Sequence, residues 1–211
     1  MMCGVTLPLR FGQSSSSSDL NDVKDLRKLI EHLVPARSDP RFKFMTTGIG
    51  PLAIRDPPRP QDFLQYLAAN VLGERNILVD CRLSKGKYLA AVALYNGGDE
   101  PPSQRDVTQT VKKQEYLDRI RVTGGVQSAV YKVPSGGDST SATSVINSTT
   151  IKSMFQRLVA RFSAIYRRRA FTHLYTGTRK MTVDNFEEAQ RNVRDLITEY
   201  SDIERESWPF S

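Results

Sequence analysis

Cysteine and histidine are scarce in this chain: Cys3, Cys81, His32 and His173 are the complete set among 211 residues. That excludes a disulfide scaffold and a zinc site built from several Cys and His ligands of one chain. Long apolar runs are missing too. No window approaches the roughly 18 apolar residues that a membrane-spanning helix requires, so no membrane partner is expected. The opening stretch, MMCGVTLPLRFG, lacks a basic segment followed by a long apolar one, so no export signal is expected and the two thiols fit a reducing compartment. Acidic residues are absent from Ser139 to Val183, a window that carries eight lysines and arginines. Directly after it, residues 184–206 hold eight acids against three arginines. With a formal net charge of +7, such a basic window suits a polyanion, and nucleic acid is the commonest one. The alternative is a solvated helix face balanced by the acidic helix that follows.

Signals for catalysis are equally thin. Gly48-Ile49-Gly50-Pro51 is a lone G-x-G and reads as a proline turn, not a phosphate loop. His173 has no carboxylate near it in sequence to orient it as a general base. Cys81 lies in an apolar run and reads as a buried thiol. Glu187 and Glu188 are neighbours on a helix and do not share a face, so they make a poor metal pair. Asn147-Ser148-Thr149 matches a glycosylation acceptor but carries no weight without an export signal. No catalytic residue, metal or cofactor is assigned, and the chain is not expected to be an enzyme.

What is present is helical periodicity. Residues 1–18 end in five serines and read as a flexible arm. Asp19 to Val34 is a predicted helix, stopped by Pro35. Six prolines between residues 35 and 60 predict an extended or looped segment. Gln61 to Gly73 is a second predicted helix, with Gly73 as its C-cap. Asn76 to Leu83 is β-prone, and Ser84 to Tyr95 places Tyr88, Leu89, Val92 and Tyr95 at helical spacing. Val107 to Ile120 is a weaker helix. Thr123 to Thr149, rich in Gly, Ser and Thr, predicts a mobile loop in which only Val126 to Val133 is strand-like. From Thr150 to Arg169, the residues Ile151, Met154, Phe155, Leu158, Phe162 and Ile165 form one apolar stripe. A last helix spans Asp184 to Glu204, where Asp184 and Glu187 are spaced as a capping box. The expected fold is all-α: an antiparallel four-helix bundle with minor β-strands, plus an extra C-terminal helix. The expected divisions are an arm at 1–18, a bundle at 19–176 and an extension at 177–211.

Two basic groups stand out. One is Arg119-Ile120-Arg121, with Tyr116 and Asp118 before it. The other is Tyr166-Arg167-Arg168-Arg169-Ala170-Phe171. Paired arginines beside a flexible loop can close on a phosphate backbone, because the guanidinium fork grips phosphate oxygens at two points.

The run Tyr166-x-Arg168-x-x-Phe171 resembles the aromatic-x-Arg-x-x-Phe motif in the coat proteins of rod-shaped plant RNA viruses, the tobamovirus-like (virgavirus) group. Arg119 and Arg121 are similar to the Arg-x-Arg pair that precedes that motif. Thr172 departs from the acid often found after the motif's Phe, and Ser139, Thr140 and Ser141 replace basic residues of some members. The resemblance implies a structural capsid protein that polymerises into a helical rod, a homo-oligomer of the virion and host cytoplasm, packaging single-stranded RNA. It implies RNA contacts from Arg119, Arg121, Thr150 and Ser153, with Lys152 and Arg157 as secondary candidates. Tyr166, Arg168 and Phe171 are implied to be structural. The alternative is a basic RNA-binding protein that does not assemble, such as a viral silencing suppressor; an α-helical enzyme or adaptor is a third.

Overall fold

The computed structural model describes residues 31–34, 41–51, 59, 62–97, 102–113, 125–132, 140–177 and 181–205. In chain order its elements are β1 (Met45–Gly50), α1 (Phe63–Leu72), β2 (Tyr88–Gly97), α2 (Gln104–Lys112), β3 (Val126–Lys132), β4 (Ser141–Ser148), α3 (Lys152–Tyr166), α4 (Thr172–Thr176) and α5 (Val183–Arg205). Short 3₁₀ turns occupy Glu74–Asn76, Leu83–Lys85 and Thr149–Ile151. The chain divides into two units, Met1–Ser148 and Thr149–Ser211.

A four-stranded mixed sheet in the order β1-β4-β2-β3 organises the first unit. This corrects the expected all-α four-helix bundle. β1 and β2 both run antiparallel to β4, whereas β2 and β3 are parallel. A parallel pair needs a crossover connection, and α2 lies in it.

The helix expected at Ser84 to Tyr95 is instead the inner strand β2. Its sequence, YLAAVALYNG, is buried at every position except the half-buried Asn96. A strand covered on both faces loses the alternation of a half-exposed one, and a run that is apolar throughout satisfies a helical period by accident. Ala91, Ala93 and Tyr95 pack on one face with Leu67, Val71, Val107 and Val111 of α1 and α2. Ala90, Val92 and Leu94 pack on the other with Leu33, Ala129, Tyr131 and Val145. The core therefore lies on both sides of the sheet.

The mobile loop expected at Thr123 to Thr149 is also corrected, because two strands lie within it. β3 matches the strand-like stretch, and β4 (SATSVINS) is buried at all positions but its first. Its polar side chains satisfy local backbone groups. Ser144 Oγ donates to the Val71 carbonyl at 2.6 Å, and Ser148 Oγ to the Lys87 carbonyl at 3.1 Å. Asn147 Nδ2 donates to the carbonyls of Leu33 and Phe42 at 2.9 and 2.8 Å. Buried polar groups are tolerable when bonded in this way.

Gly48 and Gly50 lie in β1 and not in a phosphate loop. A Cβ on Gly48 would stand 2.6 Å from the Val71 carbonyl, so the glycine lets α1 lie against the strand. The β-prone stretch from Asn76 contributes one bridge, Ile77 opposite Gly48, and no strand. At α2, Gln104 Nε2 donates to the Ser128 carbonyl of β3 at 2.7 Å. Of the helix expected at Asp19 to Val34, only residues 31–34 are described, and 31–33 are helical. The serine arm and residues 114–120 of the helix expected at Val107 to Ile120 lie outside the described residues.

Candidate functional site

The second unit holds the basic window and the last predicted helix. The capping of α5 starts two residues earlier than the Asp184/Glu187 spacing suggests. Asn185 Oδ1 accepts the Thr182 backbone N–H at 2.8 Å and lies 3.0 Å from Thr182 Oγ1. Thr182 and Asn185 thus play the capping-box roles. α3 and α5 run antiparallel, since their contacts pair in reverse order. Lys152 Nζ is ion-paired with Glu204 Oε2 at one end. Gln190 Nε2 donates to Ser163 Oγ at 2.6 Å, and Tyr166 Oη lies 3.4 Å from Glu187 Oε1.

The apolar stripe read along α3 does not stay one surface. Ile151 and Phe155 are buried, whereas Leu158 and Ile165 are 55% and 53% exposed. Phe162 and Tyr166 turn to α5, where they meet Phe186 with ring centroids 6.4 and 5.9 Å away. Tyr175 closes this aromatic cluster edge-on to Phe186 at 5.9 Å. Such ring pairs prefer offset-stacked and edge-on geometries, as these do. Burial, then the Glu187 carboxylate, pushes the Tyr166 phenol above the usual tyrosine range.

Past the cluster the backbone is strained. Arg169 and Phe171 both take left-handed φ values, 49° and 62°. Each costs about 1–2 kcal/mol in a side-chain-bearing residue. Thr172 Oγ1 donates to the Arg169 carbonyl at 3.0 Å within this turn.

The residues implied as RNA contacts are scattered by the fold. Thr150 is buried in the 3₁₀ turn that precedes α3. Ser153 Oγ is shielded from solvent and has no hydrogen-bond partner among the described residues. Lys152 is engaged by Glu204, and burial, then the Arg205 charge, holds its ammonium below the usual lysine range. Arg157 is exposed. Arg119 and Arg121 lie outside the described residues. Of the structural trio, Tyr166 joins the aromatic cluster, Arg168 is exposed, and Phe171 is 64% exposed. His173 is exposed on α4 and Cys81 is buried. Among the described residues, no group of three or more His, Cys, Asp or Glu could hold a metal, and no helix is long and apolar enough to cross a membrane.

A groove that the sequence reading missed runs between α3 and α5. Gln156, Val159, Ala160, Ser163 and Ala164 line it from α3, Arg167 from the C-cap of that helix, and Arg194 and Ile197 from α5. The α3 positions follow helical spacing, a signal that was legible; the α5 partners became evident only with the antiparallel pairing.

Residues 40–160 match the family model of the tubulin C-terminal domain. The chain is 34% identical to the tubulin beta chain of Aspergillus fumigatus over 215 residues, which cover 98% of this chain and 44% of that one. It is 34% identical to the tubulin beta chain of Porphyra purpurea, covering 97% and 43%. It is 35% identical to the tubulin beta-3 chain of Echinococcus multilocularis, covering 94% and 43%. The chain thus spans less than half the length of these relatives. The matches overturn the coat-protein resemblance and, with it, the capsid function, the RNA-binding alternative, the single-stranded RNA partner and the virion setting. The Tyr166-x-Arg168-x-x-Phe171 run was too short to carry that resemblance.

Proposed function

The chain belongs to the tubulin C-terminal domain family, and on that premise we propose that it supplies the carboxy-terminal part of a beta-tubulin-like cytoskeletal subunit. Its work is protein–protein contact with other tubulin subunits, alpha-tubulin first among them. The observation that carries this reading is the extent of similarity: identity near one third runs through both units, from the sheet to α5. The geometry supports it. The sheet is covered on both faces and serves as a scaffold, while the second unit presents exposed apolar and cationic side chains, among them Leu158, Ile165, Arg157 and Arg168. Exposed apolar side chains of this size gathered on one unit suit contact with another protein. GTP binding and hydrolysis are proposed for the longer assembled protein, and no residue of this chain is assigned a step in them.

The test is co-sedimentation of the full chain with polymer assembled from purified alpha- and beta-tubulin in GTP, alongside size-exclusion with unassembled tubulin. The expected result is saturable co-pelleting or a co-eluting complex. A chain that stays in the supernatant and elutes alone overturns the reading.

A further inference from the structure

The turn that follows α3 carries three arginines and leads into a threonine. Arg167, Arg168 and Arg169 are exposed, and none is ion-paired among the described residues. Thr172, half-buried, opens α4. Arg167 and Arg169 stand five and three residues before it, and no other serine or threonine of the chain has arginine at both positions. The acid-free window from Ser139 to Val183 extends on both sides of this turn.

Little holds the turn closed. Thr172 Oγ1 donates to the Arg169 carbonyl at 3.0 Å, a bond between near neighbours. Arg169 and Phe171 are left-handed, at φ 49° and 62°, and opening to an extended strand relieves both. α4 buries none of its residues, and its ring contact is Tyr175 on Phe186. A segment with so few buried contacts opens locally at small cost, and a kinase takes its acceptor in extended form.

We propose that Thr172 is a phosphorylation site for a basophilic serine/threonine protein kinase that uses ATP. Carboxylates in the substrate groove of such a kinase pair with guanidinium groups at two fixed spacings, which selects this threonine over the others. Thr172 Oγ1 forms a bond to the γ-phosphorus of ATP while the bond from that phosphorus to the β–γ bridging oxygen breaks. ADP leaves with the electron pair, and the hydroxyl proton passes to the carboxylate base of the kinase. The esterified oxygen has no proton to give the Arg169 carbonyl, so the bond across the turn is lost. In its place a charge of about −1.5 to −2 stands beside three guanidinium groups able to pair with it. The site rests on the turn and its arginines and not on contact with other tubulin subunits.

The test is incubation of the full chain with magnesium, ATP and a purified kinase that selects arginine five and three residues before its acceptor. Mass spectrometry locates the phosphate. Labelling at Thr172 is expected, and a kinase that selects acidic sequences should label the chain at least about tenfold more slowly. T172A should abolish the modification and T172S retain it. R167Q/R169Q should lower kcat/KM of the transfer about tenfold or more, while R191Q, exposed on α5, should change it less than about twofold. Circular dichroism accompanies each variant; where R167Q/R169Q loses helix, R169Q alone replaces it and must still slow the transfer. No incorporation into the native chain overturns the proposal, as does incorporation only after urea has opened the fold. So does equally fast labelling of Thr108 or Thr182, which have an arginine three residues before them but none at five, or a rate indifferent to Arg167 and Arg169.

Discussion

Ser144 Oγ bonds the Val71 carbonyl at 2.6 Å, joining the middle of β4 to the last turn of α1. Carbonyls in a helix's last turn lack an intrahelical partner, and here a strand side chain provides one. The same carbonyl lies 2.6 Å from where a Gly48 Cβ would stand. Ser144→Ala should lower stability by about 1–2 kcal/mol by leaving this buried acceptor unpaired. Gly48→Ala should cost about 1–3 kcal/mol by forcing strand and helix apart. Urea unfolding measures both, and because the two sites share one carbonyl their effects should not add. An unchanged midpoint in Ser144→Ala would remove the bond from the account.

Asn147 holds two carbonyls at once, those of Leu33 and Phe42. Asn147→Val keeps a strand-forming residue and removes both donors. With two buried acceptors stranded, the loss should reach about 2–4 kcal/mol. Thermal unfolding should show a larger drop than Ser144→Ala produces. A smaller drop would mean that these carbonyls find other partners.

His32 titrates against the fold. Its Nε2 is buried without a partner, and burial holds the ring below the usual histidine range despite an opposing hydrogen bond with the Ala91 backbone. As pH falls, the unfolded chain takes up this proton before the folded one does. Stability therefore declines from the ordinary histidine value down to the folded value, and is retained above that window. The melting temperature should fall as pH drops through about 6.5, the ordinary histidine value, and His32→Leu should flatten that part of the profile. A wild-type slope that survives the substitution would assign the effect to other groups.

Local signals made the helices legible. α5 pairs a charged face with Phe186, Val193, Leu196 and Tyr200, a pattern that holds without knowledge of any neighbour. α1 ends at Gly73 as its sequence suggested, though by close approach and not by a left-handed turn: a Cβ there would lie 2.3 Å from the Ala69 carbonyl. β2 and β4 were illegible for opposite reasons. β2 is so uniformly apolar that it satisfies a helical period, and β4 is so polar that it reads as a loop. Both are inner strands, and their character follows from what covers them.

The groove was half legible. A basic window without acids is plain in the sequence, but nothing local says what lies between its arginines. Arg167 and Arg194 come to one groove only through the antiparallel pairing of α3 with α5.

The sequence by itself determined where α1, α3 and α5 form and how charge is distributed along them, because capping and helical periodicity act between residues a few positions apart. Only the tertiary structure decided that Tyr88–Gly97 and Ser141–Ser148 are strands of one sheet. Their stability comes from burial on two faces and from bonds such as Asn147 to Leu33 and Phe42, which join parts of the chain distant in sequence and leave no local period to read.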